Sequence, residues 1–207
     1  MMLLCRNSNH QQLINYVRIM FLLLIPVTQS YATELLADIT SRLVKAPITQ
    51  GTFQQEKQLK ILSRPLMSSG LFTYDQSKGV IWKSLAPVPS LLLVNESQLI
   101  SGQGEQNVPA AFGKVFKAML GGDLNELTEG FLITGENKKS TWHLQLKPKD
   151  EFLQKIINTI TLNGDSELRT LVLQEVTGNF TRIDFTQITH PPQLSTAQET
   201  DFERLSP

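Results

Sequence analysis

The sequence predicts a mainly β domain: one curved antiparallel sheet, or incomplete barrel, with helices on one side. Three observations carry this. Short runs rich in β-branched, aromatic and leucine residues recur between Gly, Pro, Asn and Ser breaks. Asn163-Gly164 and Gly178-Asn179 are hairpin-type turn pairs that fold a strand back on its neighbour. One apolar helix interrupts the strands halfway along, which argues against an ordinary β-sandwich.

The N-terminus reads as an export segment. Arg6 and Arg18 are the only charged residues before the apolar run from Ile19 to Val27. Ser30 and Ala32 are small residues at the −3 and −1 positions of a cleavage site, so residues 1–32 are expected to be a signal peptide cut before Thr33. The run is far shorter than the roughly 20 residues a membrane span needs. Removal of residues 1–32 takes two of the 19 basic residues and none of the 19 acidic ones, for a mature net charge of about −2. That balance disfavours nucleic acid, whose phosphates demand a basic surface. The only cysteine, Cys5, leaves as well, so the mature chain has no thiol for a disulfide or a metal. Residues 33–207 form a single domain in the expected organisation.

Thr33 is the expected cap of a first helix, with Leu35, Leu36, Ile39 and Leu43 on one face and Pro47 at its end. Strand texture follows from Gly51 to Ile100 in short segments, the strongest being Leu71 to Tyr74, Val80 to Lys83 and Leu91 to Val94. From Pro109 the pattern changes. Phe112, Val115, Phe116, Met119 and Leu120 recur at i, i+3, i+4, i+7 and i+8, and Gly121-Gly122 closes the helix. Residues 123–127 add one more turn. Strands resume at Phe131–Thr134, Thr141–Leu146, Ile156–Leu162, Thr170–Val176 and Phe180–Thr186. The tail from Ser195 is polar.

No catalytic constellation is visible. His143 alternates away from Trp142 and Leu144, toward solvent, and His190 precedes Pro191 in a turn. Two isolated histidines without cysteine do not make a zinc site, which needs three or four ligands. No G-x-S-x-G elbow occurs, and Gly102-Gln103-Gly104 is a lone G-x-G without the helix of a dinucleotide site. The chain is therefore read as a non-enzyme with no cofactor and no metal. Its notable asset is bulky apolar surface: Trp82, Phe112, Phe116, Met119, Leu120, Phe131, Trp142 and the run Leu91 to Val94. Core packing accounts for many of these. An incomplete barrel only partly filled by a helix also leaves an apolar hollow suited to an apolar ligand. Both sides of the Leu91–Val94 strand are apolar, so it meets nonpolar matter on each face.

The ordered set of motifs resembles the LolA-like family of periplasmic outer-membrane lipoprotein carriers. The resemblance runs through Gly51-Thr52-Phe53-Gln54-Gln55, a G-x-F-x-Q motif, then Gly70-Leu71-Phe72, Val80-Ile81-Trp82 and Ser90 to Asn95. It continues through the Phe112–Leu120 helix, Leu144 to Lys149 and Thr181 to Phe185. The resemblance implies an unclosed antiparallel β-barrel with an α-helical lid over a hydrophobic cavity. It implies Val80, Trp82, Leu91 and Leu93 as barrel lining, and Phe112, Phe116, Met119 and Leu120 as the lid. It implies a monomer that takes an acylated lipoprotein or lipid from an inner-membrane release complex to an outer-membrane acceptor. Two departures mark a divergent branch. Gln76-Ser77 stands where the family's arginine and proline would be, so Gln76 is the candidate lid latch without the charge, and Lys78 is displaced by two residues. The family's C-terminal extension is not matched after Phe202. The alternative reading is a periplasmic binding or assembly module that takes a partner peptide, or a glycolipid of a specialised export pathway.

Overall fold

The computed structural model describes residues 28–95, 98–101, 104–107 and 110–204. Helix α1 (Thr28–Arg42) leads into β1 (Ile48–Gln58), β2 (Leu66–Asp75), β3 (Gly79–Ala86), β4 (Ser90–Val94), β5 (Gln98–Ser101) and β6 (Gly104–Asn107). Helix α2 (Ala110–Gly121), a 3-10 turn (Leu124–Glu126) and α3 (Leu127–Gly130) follow. Then come β7 (Phe131–Asn137), β8 (Trp142–Pro148), α4 (Glu151–Gln154), β9 (Ile157–Gly164), β10 (Leu168–Glu175), β11 (Phe180–Thr189) and α5 (Thr196–Glu203).

The strands form one antiparallel sheet in the order β6-β5-β4-β3-β2-β1-β11-β10-β9-β8-β7. Two meanders, β1 to β6 and β7 to β11, are joined where β1 pairs with β11. The ends of this order, β6 and β7, are not paired with each other, so the sheet is not closed. This topology also explains the position of the central helices. The chain must pass from one edge of the sheet to the other between β6 and β7, and residues 110–130 make that crossing over the inner face.

Alternation along the strands separates the two faces. In β8, Trp142, Leu144 and Leu146 are buried while His143 and Lys147 are exposed. The inner face packs against Leu36 and Ile39 of α1 and Leu43 just after it, Ala118, Met119 and Leu120 of α2, and Leu124 and Leu127 beyond it, in one continuous core. A smaller cluster lies on the outer face, where Ile81 and Leu93 bury against Phe202 of α5.

Several expectations need correction. The first helix begins at Thr28, so Thr33 lies within it rather than capping it. The polar tail holds a helix. Ser195 and Gln198 form a capping box, and the Gln198 amide donates to Gln50 Oε1 at 3.0 Å and Thr73 Oγ1 at 2.8 Å. Helix α4 was not foreseen. Among the described residues no helix is long and apolar enough to cross a membrane.

Four surface carboxylates sit below their ordinary range. The Arg182 hydrogen bond lowers Asp184, with help from Thr170. Burial pushes Asp165 up, but hydrogen bonds from Arg169 and the backbone outweigh it and lower the group. Asn179 lowers Glu175 and Lys138 lowers Glu136. A folded-state pKa below the unfolded one stabilises the fold fully above the unfolded value, and that stabilisation is lost as pH falls through the folded value. The urea midpoint is therefore expected to hold from about pH 7 to about pH 5 and to drop below about pH 4, where carboxylates take up protons. An unchanged midpoint at about pH 3 would show that these pairs contribute nothing.

Candidate functional site

The inner face carries an aromatic cluster drawn from four strands and a helix. Phe53 of β1 stacks on Trp82 of β3, with ring centroids 3.9 Å apart and planes 23° apart. Phe72 of β2 lies 6.5 Å from Trp82 and edge-on to Phe185 of β11 at 5.3 Å. Phe185 and Phe116 of α2 present their edges to Trp82 at 6.1 and 6.3 Å. Alternation places Val80 and Trp82 inward on β3 and Phe72 and Tyr74 inward on β2. Gly51, the first residue of the G-x-F-x-Q motif, makes room for this cluster. A Cβ there would stand 2.8 Å from both the Phe72 ring and the Thr186 carbonyl oxygen. The motif is thus a packing requirement: glycine admits the Phe72 ring, and Phe53 supplies the stacking partner of Trp82.

The structure brings Val80, Trp82, Phe116, Met119 and Leu120 into one cluster. Leu91 and Leu93 do not join it. Strand pairing sets Leu93 beside Ile81 and Leu91 beside Lys83, both on the outer face. Their neighbours Leu92 and Val94 pair with Trp82 and Val80 and face inward. The expectation for Leu91 and Leu93 is therefore off by one residue, which in a strand means the opposite face. Phe112 lies on α2, but its side chain is outside the described residues. Phe53, Phe72, Tyr74 and Phe185 belong to the cluster and were not singled out as site residues.

Gln76 is exposed at the end of β2, where its backbone N–H donates to the Pro47 carbonyl at 2.9 Å. Its side chain lines a polar cavity of about 250 Å³ with Tyr74, Lys117, Ala118, Gly121, Asp123 and Glu126, so it sits beside the C-terminal half of α2. Lys78 turns the other way. It pairs with Glu199 of α5 and lies 5.9 Å from the centre of the Phe202 ring. At this end α2 is held by close approach instead. A Cβ on Gly121 would come within 2.5 Å of the Tyr74 hydroxyl oxygen, and burial pushes the Tyr74 phenol up. A Gln76→Arg variant would bring a guanidinium to the cavity that Asp123 and Glu126 line. We expect backbone amides of α2 to exchange about twofold to fivefold more slowly in that variant, the range of a partly exposed ion pair. Equal exchange in both proteins would show that position 76 does not govern the helix.

His190 makes hydrogen bonds on both ring nitrogens, Nδ1 with Thr49 Oγ1 at 3.2 Å and Nε2 with Glu167 Oε1 at 2.7 Å. The types resemble a nucleophile, base and orienting acid. Thr49 is only 4 % exposed, however, and the bonds tie β1, the end of β11 and the β9–β10 turn together. We read the three as a strut.

Known proteins show related features. Residues 104–190 match the family model described as outer membrane lipoprotein carrier protein LolA-like. No curated protein sequence matches the chain. Among solved structures, the chain is similar to one in the MucA/MucB complex of Pseudomonas aeruginosa, at 17 % identity and a TM-score of 0.47. That similarity covers 79 % of this chain and 59 % of the other, so this chain spans about three fifths of its length. A LolA superfamily protein from Nitrosomonas europaea matches at 9 % identity and a TM-score of 0.44, over 79 % of this chain and 94 % of that one. A DUF1329 family protein from Desulfovibrio piger matches at 9 % identity and a TM-score of 0.46, over 81 % of this chain and 95 % of that one. From the first residue of β6 to the residue after β11, this chain is similar to that family model.

Proposed function

We propose that this protein is a non-enzymatic periplasmic carrier that binds the acyl chains of a lipoprotein or lipid and moves them from the inner to the outer membrane. The observation that carries the proposal is the helical crossing: α2 lies over an aromatic inner face in a sheet that does not close. Val80, Trp82, Phe116, Met119 and Leu120 would contact the cargo, with Leu92 and Val94 as the inward residues of β4. In the described conformation α2 side chains pack against this face, so cargo entry requires α2 to move. Each buried CH₂ contributes roughly 0.8 kcal/mol, and opening the helix offsets part of that gain, which favours release as well as uptake.

Export by residues 1–32 supplies the compartment in this reading. Cleavage after Ala32 would leave Leu36 and Ile39 of α1, and Leu43 just after it, in the mature chain. An inner-membrane release complex would donate the cargo and an outer-membrane acceptor would receive it. Native mass spectrometry of the chain purified from a periplasmic extract tests the reading. Bound acylated molecules of discrete mass are expected. A purely apo spectrum, together with no retention of a labelled lipopeptide, would overturn it.

A further inference from the structure

We propose that the end of the sheet formed by the β1–β2 hairpin and the β3–β4 loop docks on an anionic phospholipid bilayer surface. This goes beyond the binding of cargo and stands whether or not the inner face carries lipid. Strand register puts the two loops side by side, because Lys57 pairs with Leu66 and Ser69 with Ala86. At this end large apolar side chains point into solvent. Ile61 at the hairpin tip is 89 % exposed and Val88 in the loop is 70 % exposed, with Met67 and Leu85 about half exposed beside them.

The tip is built rather than loose. The Leu62 N–H donates to the Leu59 carbonyl at 2.9 Å, and the Gln58 amide donates to the carbonyls of Leu59 and Leu62 at 3.0 and 2.9 Å. The Lys60 N–H donates to Asn179 Oδ1 at 3.0 Å, which fixes the hairpin to the β10–β11 turn. An ordered turn that projects isoleucine outward holds apolar surface in water without using it for its own packing. In the second loop Val88 stands between Pro87 and Pro89. Proline has no N–H, so this loop brings fewer backbone donors into an apolar interface.

Charge selects the occupant. Residues 57–66 hold Lys57, Lys60 and Arg64 and no carboxylate. Glu175 faces Lys57 from β10, and Glu56 pairs across the strands with Arg182. Lys60 and Arg64 are left at the exposed tip. Apolar side chains flanked by cations match the interface of a bilayer with anionic headgroups. The same cations would repel in a head-to-head pair of copies. The end also lies opposite the α1–β1 connection and the β2–β3 turn, because Ile48 pairs with Asp75 at the far end of the same strands.

Flotation tests this, with vesicles of phosphatidylethanolamine containing about 30 % phosphatidylglycerol and with vesicles of phosphatidylcholine alone. We expect the chain lacking residues 1–32 to float with the anionic vesicles and to remain behind with the neutral ones. The pair Ile61→Asp and Val88→Asp, and separately the pair Lys60→Glu and Arg64→Glu, should each lower the floated fraction at least about tenfold. Retention of a labelled lipopeptide in solution should be unchanged in both, which separates this proposal from the cargo reading. Wild-type chain that fails to float with anionic vesicles would overturn it. So would flotation unaffected in both variant pairs, or self-association that the variants abolish in the absence of vesicle binding.

Discussion

Replacing Trp82 with alanine is expected to lower the unfolding free energy by about 3 kcal/mol, the lower end of the range for large aromatic truncation in a core. The lower end applies because Trp82 is half-buried, unlike Phe53 and Phe72 beneath it. Its ring is nevertheless the shared partner of the inner cluster, stacked on Phe53 at 3.9 Å and met edge-on by Phe116 and Phe185. Each such aromatic pair adds roughly 0.5–1.5 kcal/mol beyond area burial, and alanine removes several at once. Leu91 gives the contrast. It is also half-buried, but it packs on the outer face against the smaller cluster, so Leu91→Ala should cost less. Urea unfolding followed by circular dichroism measures both. Trp82→Phe should recover much of the loss by keeping a ring against Phe53. Equal midpoints for wild type and Trp82→Ala would show that the stack is incidental to the fold.

Much of the fold was legible because alternation and helical periodicity are local signals. Trp142, Leu144 and Leu146 could be assigned to one face by counting, and the Phe112–Leu120 pattern located α2 to within two residues of its start. The run Leu91-Leu92-Leu93-Val94 could not be oriented that way. Four consecutive apolar residues carry no period, and only pairing with β3 shows that Leu92 and Val94 face inward. The inference that both sides of this strand meet nonpolar matter was sound, yet the outer cover is Phe202, from a tail whose composition is polar. Its capping box, Ser195 with Gln198, was the readable signal.

The aromatic cluster was less legible for a different reason. Phe53 and Phe185 are far apart in sequence and meet because β1 pairs with β11, with these two residues opposite each other. No local pattern announces a pairing between the first and last strands. The partner of Lys78 was hidden for a similar reason. Position 76 can be aligned by eye, but that Lys78 pairs with Glu199 depends on where α5 docks. The sequence therefore locates individual elements well, whereas the lining of the site depends on which distant strands become neighbours.

Phe116→Asp is expected to release α2 from the sheet and abolish retention of a labelled lipopeptide, while strand content is preserved. Helix α2 has 12 residues, a length at which an isolated helix is marginal in water. It is held by its inward face, where Ala118, Met119 and Leu120 are buried and Phe116 meets Trp82. Aspartate removes the ring contact and asks for a carboxylate to enter an apolar interface, which costs several kcal/mol unless the group protonates or the helix leaves. Leaving is the available response, because α2 belongs to the crossing between β6 and β7 and supplies no strand to the sheet. Amides of α2 should then exchange at least about 100-fold faster, while those of β8 and β9 stay protected. Circular dichroism should retain the strand signal. The lipopeptide measurement divides the outcomes. Lost retention with a protected sheet is the expected result. Full retention despite rapid exchange in α2 would remove the helix from cargo contact and leave the strands to hold the acyl chains alone. Unchanged exchange would show that Phe116 is not what keeps the crossing in place.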